Sequence, residues 1–483
     1  MKKLSLLFLL SCLGTAGQGQ QVSVTKSFAW AAEEANYALT QTPDGGYLLG
    51  GNTTSFNSTY AQNAYLLKTD RNGDSLWIKH QYSATAMTDI QDILPLADGT
   101  ILVAGAKSTP GNNWDAWLMK TDASGNMLWE RTFGGAQLDY FSGLQAVPGG
   151  GFVMCGLTES MGAGGRDAYL VKTDAGGNLL WEKTYGGSFL DEVIKVKVTQ
   201  NGDFIMAGGT YSFSSNPGVT DDLYLIRTDP QGNQRWHQTY GTANIDWAND
   251  LVETPTGEIV LTGLKNNSNL ALTSGQTYLL KTDASGNLLW DKSFSLNAFR
   301  NEGQAILTTP DGGLLISGFT TNPMTGTDAF VVKTDADGTI LWQHIFDNGA
   351  AQTFERAYGL LQDDQGKILI SGMKNFSPTL QPDIFLLKLT DNAVLGIAGN
   401  QKTEKLALTP FPNPASGSLS VKVPYTKLLQ AEILDLTGKV LLTRQFESTT
   451  ELNFNVAALP PACYLLKVKT AEGVAVSKFL VSR

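Results

Sequence analysis

Seven acidic residues recur at matching places along this chain. Glu34, Asp89, Asp139, Asp191, Asp246, Glu302 and Glu355 each stand ten or eleven residues before a turn glycine, at Gly45, Gly99, Gly150, Gly202, Gly257, Gly312 and Gly366. Carboxylates brought together can hold a cation, and oxygen ligands with few soft donors nearby favour calcium over zinc. Two of them, such as Asp139 with Asp191 or Asp246, can also serve as acid and base on a polysaccharide, provided that one has a raised pKa. The third use is structural, as acceptors for nearby loops. Neighbouring carboxylates roughly 8 Å apart repel by about 2 kcal/mol at an effective dielectric near 20, so backbone donors, basic partners or a cation must offset them.

Other chemistry has little support. His80, His237 and His344 fall in three separate repeats, too far apart for one metal or a shared base. HExxH, GxSxG, P-loop and CxxC patterns are absent from the sequence, which removes the common metalloprotease, hydrolase, nucleotide and redox readings. A formal net charge of -10 and a pI near 4.9 argue against nucleic acid, because phosphate binding needs clustered Lys and Arg.

The elements that must position these acids repeat with a period of 51 to 55 residues. Lys68-Thr69-Asp70, Lys120-Thr121-Asp122, Lys172-Thr173-Asp174, Arg227-Thr228-Asp229, Lys281-Thr282-Asp283 and Lys333-Thr334-Asp335 each precede a tryptophan nine positions after the basic residue: Trp77, Trp129, Trp181, Trp236, Trp290 and Trp342. A weaker seventh copy is Lys388-Leu389-Thr390-Asp391, with Ile397 at the tryptophan position. One unit reads as strands over 139–148, 151–157, 167–174 and 179–185, joined by tight turns rich in Gly, Asn and Asp. Four antiparallel strands per unit with no helical periodicity predict an all-β fold, a seven-bladed β-propeller over residues 21–391. The seventh unit lacks a fourth strand, whereas 22–28 is an orphan in which Lys26-Ser27-Phe28 lines up with Lys183-Thr184-Tyr185. That N-terminal strand is expected to complete the last blade and close the ring. The repeated tryptophans are expected to pack between blades, and the aspartates of the Thr-Asp-x-x-Gly-Asn turns to bond their own turn backbone. The landmarks resemble a large bacterial class of repeats with DGG-x-apolar and KTD-x-x-G-x-x-x-W signatures, which implies fold more than activity.

Residues 1–20 have the layout of a secretory signal peptide, with Lys2 and Lys3, an apolar run from 4 to 13, and small residues near Thr15, Ala16 and Gly17. A competing reading takes Leu9-Leu10-Ser11-Cys12 as a lipobox. No other stretch of the sequence is long and apolar enough for a transmembrane helix. After a linker over 392–408, residues 409–483 carry a new pattern: Phe411-Pro412-Asn413-Pro414-Ala415, Gly438-Lys439, Leu459-Pro460, Tyr464-Leu465-Leu466-Lys467-Val468 and Lys478-Phe479-Leu480-Val481. In order and spacing these resemble the type A sorting domain of type IX secretion cargo, with one departure at Ala462-Cys463. The resemblance implies passage through the periplasm to the outer surface or the medium, with the type IX machinery as partner. Short strands with Pro- and Gly-marked turns predict a small β-sandwich.

Loops from second to third strands vary in length and carry Phe56, Tyr60, Trp114, Arg166, Tyr211, Phe213 and Phe376. By strand direction they share one face with the acids. Variable aromatic loops on a rigid scaffold predict a binding module for glycan or protein, with Trp114, Arg166, Tyr211 and Phe213 as candidate contacts and no cofactor beyond a possible calcium ion. A polysaccharide-active enzyme and a purely structural surface protein are the alternatives. An enzyme should break the seven-fold pattern in one sector.

Overall fold

The computed structural model describes residues 21–30, 32–55, 62–80, 86–108, 113–267, 274–296, 299–322, 326–346, 353–375, 382–390, 415–422, 428–434, 440–449, 451–470 and 473–482. The signal segment, the 392–408 linker, Phe56, Tyr60 and Phe376 lie outside them. The chain divides into two compact units, 1–392 and 393–483.

The first unit is a seven-bladed propeller of four-stranded antiparallel blades. The innermost strands are Glu34–Gln41, Thr88–Pro95, Asp139–Ala146, Asp191–Val198, Ile245–Glu253, Asn301–Thr308 and Thr353–Gln362, numbered here as blades 1 to 7. A short parallel contact, Gly326 opposite Thr353 and Thr327 opposite Phe354, joins the sheets of blades 6 and 7. Each inner hairpin turns at one of the seven glycines noted above, all with positive φ, from +73° at Gly366 to +102° at Gly150. A side chain there would be strained. The outer hairpin turns are held by their aspartates, and Asp174 Oδ1 accepts the N–H groups of Gly176 at 2.9 Å and Asn178 at 2.8 Å.

The core lies between blades. One apolar cluster interleaves Leu102 and Leu118 of blade 2 with Phe141, Met154 and Tyr169 of blade 3. The repeated tryptophans seal the outer part of these seams: a Cβ added at Gly177 would fall 2.5 Å from the Trp129 ring, and one at Gly232 would fall 2.8 Å from Trp181. These turn glycines are therefore needed for close approach as well as for the turn.

The ring closes between the two ends of the propeller sequence. Gln21–Phe28 pairs antiparallel with Asp383–Thr390 and supplies the fourth strand of blade 7. Blade 7 then packs on blade 1. Leu369, Ile384 and Leu386 join Tyr47, Leu49 and Tyr65 in one cluster, and Lys388 bridges to Tyr47 at 2.6 Å and Asp363 at 2.9 Å.

In the second unit, a sheet of Val440–Thr449, Leu428–Leu434, Cys463–Thr470 and Gly473–Leu480, in that order, accompanies a two-stranded sheet of Ser418–Lys422 and Glu451–Asn455. Leu419, Val421, Ile433, Phe454, Leu466 and Phe479 are buried together between them. Alternation along each strand sends these residues inward, as in a small sandwich.

Candidate ligand cavity at the channel mouth

Every innermost strand of the propeller carries a β-bulge near its start, at the step from Asn36 to Ala38, Ile90 to Asp92, Phe141 to Gly143, Val193 to Lys195, Ala248 to Asp250, Gly303 to Ala305 and Ala357 to Gly359. A bulge leaves one residue unpaired and re-aims its side chain. Aligning the strands on it corrects the expectation of a single acidic ring. Five acids, Glu34, Asp139, Asp191, Asp246 and Glu355, share one register position, and Thr88 and Asn301 complete that row. Asp89 and Glu302 stand one residue further along, so the pleat sends them the other way.

The five-acid row belongs to the framework. Glu34, Asp139, Asp191, Asp246 and Glu355 are all buried. Asp139 accepts the Gly135 N–H and the Ser160 hydroxyl, both at 2.7 Å. Asp191 accepts Gly187 N–H at 2.8 Å, Ser212 Oγ at 2.6 Å and Thr210 Oγ1. Asp246 accepts Thr242 N–H at 2.6 Å and Asn266 N–H at 2.7 Å, and Glu34 accepts the Thr53 and Ser55 hydroxyls. In blades 3, 4 and 5 these bonds tie the loop before the blade to the end of its second strand or the loop that follows. Asp139, Asp191 and Asp246 are thus committed to loops, so they do not form the acid and base pair considered above. Among the described residues there is no group of three or more His, Cys, Asp or Glu side chains arranged to hold a metal.

The next position faces the channel and holds Ala35, Asp89, Tyr140, Glu192, Trp247, Glu302 and Arg356 around the ring, and the bulged residues beside it are Tyr37, Gln91, Ser142, Ile194, Asn249, Gln304 and Tyr358. On one side this wall is filled. Asp89 accepts Asn52 Nδ2 at 3.1 Å, Gln91 Nε2 at 3.0 Å and the Tyr140 hydroxyl. One residue past the bulge, Lys195 of blade 4 reaches Asp92 of blade 2 at 3.2 Å. Burial opposes its charge, but the carboxylates of Asp92 and Asp250 outweigh that and hold its pKa above the ordinary lysine value.

On the other side the wall opens into a cavity of about 480 Å³ between blades 4 and 7, lined by Glu192, Trp247, Asn249, Glu302, Gln304, Arg356 and Tyr358 from the inner strands, with Arg166, Tyr211, Asp221, Arg300 and Phe319 from loops and second strands. A cavity of that size suits a small ligand. Arg166 bridges Glu159 at 3.1 Å and Glu192 at 3.3 Å. Arg300 is paired with Glu302, which also accepts Trp247 Nε1 at 3.2 Å and Asn249 Nδ2 at 2.9 Å. Asp221 Oδ1 is buried without a hydrogen-bond partner. Burial first, then the charges of Glu192, Asp222 and Asp191, push its carboxyl up to about 8. It is therefore mostly protonated near neutral pH and can donate a hydrogen bond.

The loop residues singled out in the sequence separate here. Arg166 and Tyr211 line the cavity. Phe213 instead stacks on His237, with centroids 4.8 Å apart, and packs on Tyr224 at 5.7 Å, so it belongs to its own blade. Trp114 opens the third strand of blade 2, outside the cavity wall. Trp247, Arg300 and Arg356 carry no repeat landmark and are not among the candidate contacts that the loops suggest. The available signal was spacing: Asp89 and Glu302 precede their glycines by ten residues, whereas the framework acids precede theirs by eleven.

No curated protein matches the chain. Among solved structures, a protein of unknown function from Dyadobacter fermentans matches at 14% identity and a TM-score of 0.44, over 77% of this chain and 99% of its own. The β-propeller domain of the Trilobed protease from Pyrococcus furiosus matches at 9% identity and a TM-score of 0.40, over 74% and 94%. The alpha-L-arabinanase of Penicillium chrysogenum, complexed with arabinobiose, matches at 13% identity and 0.41, over 66% and 99%. The family model described as the secretion system C-terminal sorting domain matches residues 409–482. The chain is thus a seven-bladed β-propeller protein that carries a type IX C-terminal sorting domain, which marks it as cargo for export to the cell surface or the medium.

Proposed function

We propose that the propeller is a surface or secreted binding module for a glycan or protein, with its ligand seated in the cavity between blades 4 and 7. The observation that supports this reading is the makeup of the cavity wall at the channel mouth, where Tyr211, Trp247, Phe319 and Tyr358 stand among Arg166, Arg300 and Arg356. Rigid inner strands and loop residues contribute together, as in other sites built on scaffolds. The test is a glycan array probed with the mature chain, followed by Trp247→Ala and Tyr211→Ala. Binding that both substitutions reduce supports the reading, and a ligand held equally well by both variants rules the cavity out.

A second reading has its own support in Asp221, held protonated to about 8, beside the charge of Glu192 in the same cavity. A carboxyl group kept protonated by burial, with a second carboxyl group in the same cavity, is the starting point for acid and base work on a polysaccharide, and the cavity interrupts the seven-fold pattern as an enzyme site should. Release of reducing ends that Asp221→Asn abolishes would favour this enzyme over the binding module.

A further inference from the structure

Among the described residues, one cation in the cavity wall has no counter-charge. Arg356 is the single basic residue in the channel-facing row of seven, where the other blades carry Ala35, Asp89, Tyr140, Glu192, Trp247 and Glu302. Its guanidinium carbon lies 4.4 Å from the ring centroids of both Phe319 and Phe354. Its Nε is buried with no hydrogen-bond partner, and among the described residues no carboxylate pairs with it. The cavity's other two arginines differ on this point, since Arg166 bridges Glu159 and Glu192 and Arg300 pairs with Glu302.

The aromatic contacts hold Arg356 in place without neutralising it. Trp247, Arg300, Phe319, Arg356 and Phe354 form one ladder of alternating rings and guanidinium groups across blades 5, 6 and 7, with Arg300 5.5 Å from the Trp247 centroid and 5.9 Å from that of Phe319. A guanidinium set against two rings uses its flat faces for cation–π contact and keeps its N–H edge for an acceptor. That edge matches a carboxylate in two-point geometry. In the same cavity wall the amide nitrogens of Asn249 and Gln304 both donate to Glu302, at 2.9 and 2.7 Å, so the carbonyl oxygens of these two side chains remain as acceptors. One fixed cation next to amide acceptors calls for a ligand with one carboxylate and several hydroxyl donors.

We infer that the cavity recognises a sugar acid, such as a uronate, through a carboxylate bound to Arg356 and hydroxyls directed at Asn249 and Gln304. This rests on the reading of the cavity as the ligand site. The volume of about 480 Å³ suits one or two sugar rings, so the sugar acid is either free or the end of an acidic polysaccharide.

The experiment is calorimetric titration of the full mature chain with glucuronate, galacturonate and their di- and trisaccharides, beside glucose, galactose and the matching neutral oligosaccharides. The expected result is binding of one acidic series, weakened roughly tenfold or more by Arg356→Gln, the loss that a charge-assisted hydrogen bond produces. Asp89→Asn, on the filled side of the channel, should leave the affinity unchanged, and equal melting temperatures of wild type and Arg356→Gln exclude misfolding as the cause. Tighter binding of the oligomers than of the monomers identifies a polysaccharide end, and equal binding identifies the free acid. Neutral and acidic sugars binding alike, with no effect of Arg356→Gln, would overturn this inference and leave the cavity as a glycan site. Binding by no member of either series would overturn both.

Discussion

Asp191 and Glu192 are neighbours on one strand and have opposite fates. The carboxylate of Asp191 is buried and taken up by Gly187, Thr210 and Ser212, whereas that of Glu192 lines the cavity and meets Arg166. The same parity divides the whole ring into a row that ties loops to blades and a row that forms the channel wall. A β-strand turns successive side chains to opposite sides, so one residue of register separates scaffold from site. The scaffold row repeats because each blade must solve the same packing problem. The wall row varies from blade to blade, as Ala35, Tyr140, Trp247 and Arg356 show.

The largest effect is expected from breaking the scaffold where it closes. Deleting 21–28 unpairs the strand Asp383–Thr390 and removes Phe28 from the seam between blades 7 and 1. An exposed edge and a lost seam should cost several kcal/mol and lower the melting temperature by roughly 5 °C or more, if the shortened chain folds at all. Thermal unfolding followed by circular dichroism measures this. An unchanged transition would mean that the N-terminal strand contributes nothing to closure.

The next effect tests the parity itself. Asp191→Ala leaves the Gly187 and Ser212 N–H groups and two hydroxyls without their acceptor in a buried place, so a loss of about 3 kcal/mol is expected in urea unfolding. Glu192→Ala, one position on, removes a partly exposed ion pair and should stay within about 1 kcal/mol. Similar losses for the two variants would dissolve the distinction between scaffold and wall.

Much of the scaffold was legible in the sequence. The strands read at 139–148, 151–157, 167–174 and 179–185 are observed at Asp139–Ala146, Phe152–Thr158, Asp167–Thr173 and Leu179–Tyr185, and the closing strand read at 22–28 is Gln21–Phe28. Turn glycines and tryptophans mark these elements because backbone conformation and close approach permit few alternatives. The cavity was less legible. Acids ten and eleven residues before a turn glycine look like one set in the sequence, and only the pleat around the bulge gives that one-residue difference its meaning, by sending the two positions to opposite sides. Phe213 looked like a ligand contact because it is aromatic and in a loop, yet its neighbours Tyr224 and His237 come from its own blade. Arg356 stands at the wall spacing, ten residues before Gly366, but nothing in the sequence marks that position as facing a cavity.

A smaller effect, dependent on pH, should come from Glu34. Burial is the main reason that its carboxyl is pushed up to about 7, against the lowering effect of the Ser55 and Thr53 hydroxyls. A folded-state pKa above the unfolded value means that the protonated form is favoured on folding. The stabilisation is therefore complete below about 4.5 and lost as the pH rises through about 7. Glu34→Gln, which cannot ionise, should differ little in pH dependence below that window and gain on wild type across it, by about 1 to 2 kcal/mol once solvent screening of the carboxylate is taken into account. Urea unfolding at pH 4.5, 6 and 8 measures the gap, and a gap that does not widen with pH would show that Glu34 is ionised in the fold.

The smallest effect is expected from calcium, and it examines the scaffold row most directly. If the acids repel one another, a cation could offset the repulsion, and a site with a dissociation constant near 10 μM in 1 mM calcium would add about 2.7 kcal/mol, enough to raise the melting temperature by several degrees. The observed bonding removes the need, because Asp139, Asp191 and Asp246 each accept two or more donors from adjoining loops. Thermal unfolding in millimolar calcium and in chelator should therefore coincide within about 1 °C for wild type. Asp139→Asn with Asp191→Asn should melt lower than wild type by the same margin in both solutions, since loop acceptors are lost whether or not the ion is present. A calcium-dependent rise that the double variant loses would return these carboxylates to a metal site and merge the scaffold row with the wall that it now stands apart from.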